Sequence, residues 1–233
     1  MPRVSLLHEL RGDLVRAANP DQALKMQRYM KSLLPYYGVP MPLVRAICKE
    51  KFEKLTFTDA DAWQKAVLAL WQGARFREEL YAALGVCGLR AARPFQTIDA
   101  LPLYERLIVE GAWWDVVDEI ASNRLGEVLR ASPAPMKKAM RRWSRDDNLW
   151  KRRSAIICQL KAKQNTDLEL LFDCIAPSLG SKEFFLQKAI GWALRQYAWT
   201  DPKEIKRYVK AHAGELSPLS KREALKHSLA ERE

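Results

Sequence analysis

Apolar residues recur three or four positions apart along almost the whole chain, and alternating strand-like runs are rare, so the pattern predicts an all-α fold. The periodic stretches predict helices near 4–17, 21–33, 41–53, 59–71, 75–87, 102–111, 113–131, 134–144, 148–162, 167–177, 183–198, 202–211 and 220–229, with the 113–131 run interrupted near Asn123. Short polar residues stand just ahead of many of these runs, where a side-chain oxygen can satisfy the orphan amides of a first helical turn. Examples are Asn19-Pro20-Asp21, Thr58-Asp59, Ser132-Pro133, Ser181-Lys182-Glu183, Thr200-Asp201-Pro202 and Ser220-Lys221-Arg222-Glu223. The connections are short and no Gly/Ser linker divides the chain, so a single domain over 1–233 is expected.

A weak internal repeat lies over this pattern. Arg153–Lys161 (RSAIICQLK) matches Gln187–Arg195 (QKAIGWALR) at an offset of 34, and Lys221–Leu229 (KREALKHSL) follows with its Ala224 at an offset of 35 from Ala189. A helix pair of this length cannot bury its apolar face alone, so repetition implies stacked pairs and a solenoid-like curve.

Two helices carry unusual outward faces. In EGAWWDVVDEIAS (110–122), Trp113, Val116, Val117 and Ile120 fall at i, i+3, i+4 and i+7 and read as a buried stripe. Trp114 and Asp118 are four apart and point roughly 100–140° away from it. Either Trp114 packs on a neighbouring helix and Asp118 is solvated surface, or the indole and carboxylate form a site. In 183–198 the apolar face is Leu186, Ile190, Ala193, Leu194 and Tyr197, and the opposite face carries Phe184, Lys188, Trp192 and Arg195, with Phe185 nearby. Aromatics interleaved with cations suit a nucleic acid, although a protein partner is served by the same face. In 148–162 Arg153 sits near the middle of the Leu149, Ile156, Ile157, Leu160 stripe, where it must snorkel or find an acidic or phosphate partner.

Composition narrows the classes. The 233 residues are 48% hydrophobic, enough for a sizeable core. No apolar run approaches a membrane span and the start, MPRVSLLHEL, lacks a secretory signal, so a soluble cytoplasmic protein is expected. Cys48, Cys87, Cys158 and Cys174 form no CxxC pair and His8, His212 and His227 are far apart, so neither a disulfide framework nor a metal site is expected. The formal net charge is +11, with 18 Lys/Arg against 16 Asp/Glu in 1–132 and 21 against 12 in 133–233. A positive field concentrated in the C-terminal residues fits a polyanion or a solvated basic surface.

With these residues in view, WWDVVD, DDNLWKRRSAIICQLK, GSKEFFLQKAIGWALRQYA and SPLSKREALKH resemble the AlkD-type DNA alkylation-repair glycosylases, and RYMKSLLPYYGVPMPLVR resembles that family's N-terminal helix-turn segment. The resemblance covers nearly the whole chain and is thinnest between 54 and 100. It implies a curved α-solenoid of about six HEAT-like antiparallel helix pairs. It further implies catalytic roles for Asp118, Trp114 and Trp192, a backbone contact from Arg153, and DNA contacts from Lys161, Phe184, Phe185, Lys188, Arg195 and Tyr29.

The implied substrate is double-stranded DNA carrying N3- or N7-alkylated purines. Such a base is already cationic and a good leaving group, so the chemistry needs negative and π-electron density beside the sugar more than it needs an acid. The resemblance also implies a base left largely stacked rather than flipped into a pocket, an abasic product with no strand cut, no cofactor, no metal, no membrane, and a monomer. The other reading of the same residues is a noncatalytic helical-repeat scaffold that binds nucleic acid or protein along its basic face.

Overall fold

The computed structural model of the protein describes residues 3–226. Among them the regular elements are helical, with no strand. No helix among them is long and apolar enough to cross a membrane. The chain gathers into two compact units, one ending at Phe95 and the other beginning at Gln96.

The first unit holds α1 (Arg3–Arg16), α2 (Pro20–Met30), α3 (Met41–Phe52), α4 (Ala60–Gly73) and α5 (Arg77–Cys87). Asn19 and Asp59 cap α2 and α4 as their spacing predicts, accepting from the amides of Gln22 and Ala62. α2 stops at Met30 rather than residue 33, because Lys31 takes a left-handed conformation (φ 49°) and turns its amide back to the Arg28 and Gln27 carbonyls. Leu10, Leu14, Val44, Phe52, Trp63 and Val67 form the core.

Two adjacent carboxylates at the start of α5, Glu78 and Glu79, are fully buried. Each is satisfied. Glu78 accepts from the backbone amides of Tyr37, Gly38 and Val39 at 3.1, 2.9 and 3.2 Å, and burial still pushes its carboxyl above the usual range. Glu79 is pushed the same way by burial, but the Arg11 guanidinium at 2.8 Å, the Arg75 amide and the Tyr37 hydroxyl outweigh it and hold the carboxyl low. The pair therefore pins the segment before α3 onto α5. Gly38 completes the turn at φ 83°, where a Cβ would collide with the backbone of Asn19 and Ala23. Gly38→Ala is expected to cost about 3 kcal/mol of unfolding free energy in a urea titration; a loss within experimental error would show that this turn does not constrain the unit.

The second unit holds α6 (Leu101–Gly111), α7 (Trp114–Glu119), a π-helical segment (Ile120–Leu125), α8 (Gly126–Ala131), α9 (Pro133–Trp143), α10 (Leu149–Ile157), α11 (Leu168–Ile175), α12 (Phe184–Ala198), α13 (Pro202–Ala211) and α14 (Pro218–Ala224). The helix expected over 113–131 is thus three pieces. Asp201 caps α13 as expected, through the Glu204 amide. Other termini differ from the sequence reading. α14 begins earlier than residue 220 and is capped by Ser217, while residues 227–229 of the expected helix lie outside the described residues. Ser132 gives no side-chain cap to α9. Asn148 and Asp167 cap α10 and α11, two signals the spacing did not single out. α10 ends at Ile157 rather than 162, and the chain turns again at Lys163 (φ 52°).

The repeat has a physical counterpart here. Its three matching stretches begin in α10, α12 and α14, which pack successively against one another. Gly191 permits the close approach of α12 to α14, where a Cβ would meet Glu223 and the Ser220 backbone, and the Ser220 hydroxyl donates to the Gln187 carbonyl at 2.9 Å. α9, α11 and α13 form a second layer, joined by the Arg141–Asp173 ion pair at 2.6 Å and by Phe172 stacked on Tyr208 at 4.2 Å. All four cysteines are buried thiols; burial raises those of Cys48 and Cys174 to about 12, which leaves them chemically quiet.

Candidate functional site

The site is assembled from α7, α10 and α12 of the second unit. α6 ends where Ala112 adopts a left-handed conformation (φ 35°), and Trp113 follows in extended backbone as the residue before α7. The expectation that Trp113 belongs to a buried helical stripe is corrected on this point. Val116, Val117 and Ile120 are fully buried as predicted, but Trp113 is half-buried and packs its ring at 6.0 Å from Trp150 and 5.3 Å from Phe185. The restart of the helix at Trp114 puts its indole and Asp118 exactly one turn apart in α7.

Asp118 is the electrostatic centre. Its two carboxylate oxygens accept from Nε and Nη2 of Arg153, both at 2.7 Å, a bidentate arrangement in which the carboxylate side chain is 16% exposed and the guanidinium 5%. Nη1 of Arg153 donates to the Phe185 carbonyl at 2.6 Å. One guanidinium therefore ties α7 to α12 through α10. Of the partners open to Arg153 in sequence, the structure shows an acid: its guanidinium pairs with Asp118 and is itself buried. Burial pushes the Asp118 carboxyl up; the Arg153 hydrogen bonds and charge pull it back, and the surviving shift is upward from the ordinary value of 3.8.

Immediately after Asp118 the backbone widens into the π-helical segment, and the Ser122 hydroxyl donates to the Asp118 carbonyl at 2.6 Å. Hydrogen bonds in a π-helical turn run from i to i+5, and the regular helix resumes as α8 at Gly126. The interruption expected near Asn123 falls within this segment.

α12 presents the face that its wheel predicts. Leu186, Ile190, Ala193 and Leu194 are buried, whereas Phe184 is 57% exposed and Trp192 is half-buried. Trp192 lies seven residues beyond Phe185, about 10 Å along the helix axis on the same side. Neither Trp114 nor Trp192 stacks on another ring or makes a side-chain hydrogen bond among the described residues, and both are half-buried. Lys188 and Arg195 are not free cations: both pair with Glu223 of α14, Lys188 at 3.0 Å, and this lowers the Glu223 carboxyl. Sequence reading missed Glu223; its one signal was its position 35 residues after Lys188, one repeat further on. Lys161 lies beyond the end of α10, exposed, and donates to the Asn123 side chain in the π-helical segment. Tyr29, on α2 of the first unit, is 77% exposed. Among the described residues no cluster of three or more His, Cys, Asp or Glu could hold a metal ion.

The pairing makes a testable demand. Arg153→Met is expected to cost about 3 kcal/mol of stability at neutral pH by leaving a largely buried carboxylate unpaired. It should also raise the Asp118 pKa further, since only the lowering contributions are removed. A carboxyl with a folded pKa above its unfolded value loses stability as pH rises between the two, so the deficit should narrow on acidification. A carboxyl carbon NMR titration with paired denaturant curves checks both; an unmoved Asp118 resonance would show that Arg153 does not govern it.

The comparisons with known proteins agree with a repair role. A family model described as "DNA alkylation repair enzyme" matches residues 10–228. A solved structure titled "Predicted DNA alkylation repair enzyme from Enterococcus faecalis" is 29% identical, with a TM-score of 0.80 over 90% of this chain and 95% of that one. No curated protein matches.

Proposed function

The chain belongs to the DNA alkylation repair enzyme family, and from that premise we propose that it is a monofunctional glycosylase. It hydrolyses the N-glycosidic bond of cationic N3- and N7-alkylated purines in duplex DNA and leaves an abasic site. The observation that carries this reading is a carboxylate held in one direction by a buried arginine, one turn from a half-buried indole, in a chain of formal net charge +11. A carboxylate facing the ligand on a surface that only binds a polyanion repels phosphate.

In the proposed reaction the departing base carries its electrons away as a neutral purine, and positive charge moves onto the deoxyribose. Asp118 stabilises that charge and orients a water toward the anomeric carbon. The indoles of Trp114 and Trp192 offer ring faces to the developing cation. Arg153 fixes the carboxylate so that little reorganisation is needed at the moment of bond cleavage. Lys188, Arg195, Lys161, Phe184, Phe185 and Tyr29 serve as DNA contacts, with Glu223 fixing the first two. Neutral lesions are refused, because no side chain in this set protonates a leaving base. A noncatalytic scaffold is the competing reading, since a buried bidentate pair is also a structural device.

Asp118→Asn separates the two. It is expected to slow single-turnover release of 7-methylguanine from duplex DNA by about 100-fold or more while affinity for the duplex stays within about twofold, and unchanged release would remove Asp118 from the mechanism. Trp114→Ala and Trp192→Ala are each expected to cost about 10-fold. Because only the ionised carboxylate works, wild-type activity should fall on acidification at a pH above that of an ordinary aspartate; an acid limb at or below the ordinary value would contradict the assignment.

A further inference from the structure

A second feature of the same unit is lined by residues other than those around Asp118. It is a cleft of about 420 Å³ walled by Leu129 and Pro133 and entered by the side chains of Arg130, Lys137 and Lys161, with Asp167 as its only acid. The three cations come from three different elements: the end of α8, α9, and the turn after α10. Like charges dispersed on a surface avoid each other, so their convergence on one cleft costs repulsion that an anion would remove.

The charges are also unequally compensated. Asp167 is already engaged, with one carboxylate oxygen capping the Leu170 amide at 3.0 Å and the other paired with Lys137 at 2.6 Å. Lys161 meets only the neutral amide oxygen of Asn123, and Arg130, exposed, has no hydrogen-bond or ion-pair partner among the described residues. Two cations therefore face the cleft without a counter-charge. Its volume falls within the range of small-ligand sites, and its walls combine apolar surface with donors, as a sugar-phosphate unit requires.

We propose that this cleft is a phosphate-binding site that takes a phosphodiester of the DNA backbone, giving the unit a second grip besides the one around Asp118. The placement rests on the proposed DNA substrate. Lys161 links the two regions: it enters the cleft and donates to the segment that directly follows Asp118 in the chain. A backbone held there fixes the register of the strand without contacting the lesion.

The test uses undamaged duplex, so that it does not depend on glycosylase activity. Affinity is measured for the wild type, Arg130→Ala and a control, Lys206→Ala on the exposed side of α13, between about 50 and 200 mM salt. Arg130→Ala should weaken binding and reduce the salt slope by about one, with the control unchanged. Equal slopes for wild type and Arg130→Ala, or equal changes in both variants, would overturn the proposal. A parallel titration with inorganic pyrophosphate, read on the Arg130 Nε resonance, distinguishes the source of phosphate: saturation there combined with an unchanged duplex slope would assign the cleft to a free phosphate and overturn the DNA assignment. A wild type that releases no alkylbase yet shows the Arg130 effect would refute the glycosylase and leave the cleft standing.

Discussion

The bidentate pair between Asp118 and Arg153 is the interaction on which the candidate site depends. A carboxylate taken this far out of water is costly, and its cost is offset only if both oxygens find donors at good geometry. Arg153 meets that condition and spends its third donor on the Phe185 carbonyl, so the ion pair is also a structural tie across α7, α10 and α12. The position of Asp118 is thereby fixed by three helices, and so is the position of Phe185, from which the aromatic and cationic face of α12 runs on to Trp192. A single guanidinium sets both the electrostatics and the spacing of the groups proposed to act on the sugar.

The same economy of charge recurs around it. Arginines and lysines outnumber acids most strongly after residue 132, yet the described carboxylates near the site are not scattered at random. Asp118 holds Arg153, Glu223 holds Lys188 and Arg195, and Asp167 holds Lys137. Each acid directs a cation while subtracting one unit from the positive field. Where no acid answers, at Arg130 and Lys161, the field remains available to an anion. The proposed chemistry needs this division, because a negative group must approach the sugar while the surroundings attract the phosphates on either side of it.

Much of this was legible before any coordinates. The faces of α12 follow from the 3.6-residue period alone, and Leu186, Ile190 and Leu194 are buried where the wheel puts them. The i, i+4 relation of Trp114 and Asp118 survives because it is local to one turn. What the chain did not declare is non-local or conformational. Asp118, the acid that Arg153 holds, lies 35 residues upstream, and only packing brings the two together. Trp113 left its predicted stripe because Ala112, a residue with no turn preference, adopts positive φ. A break near Asn123 was legible, but not its π-helical form, and Lys163 turns the chain after α10 in a conformation that lysine rarely signals.

The central claim is that a fixed carboxylate serves a departing base which is already positively charged. Its most direct measurement is single-turnover release by the wild-type protein of two lesions placed in one duplex sequence, cationic 7-methylguanine and neutral 1,N6-ethenoadenine. The account predicts release of the first and none of the second above the spontaneous rate. Comparable release of both would require a proton donor that this site lacks, and release of neither would leave a protein that holds DNA without acting on it.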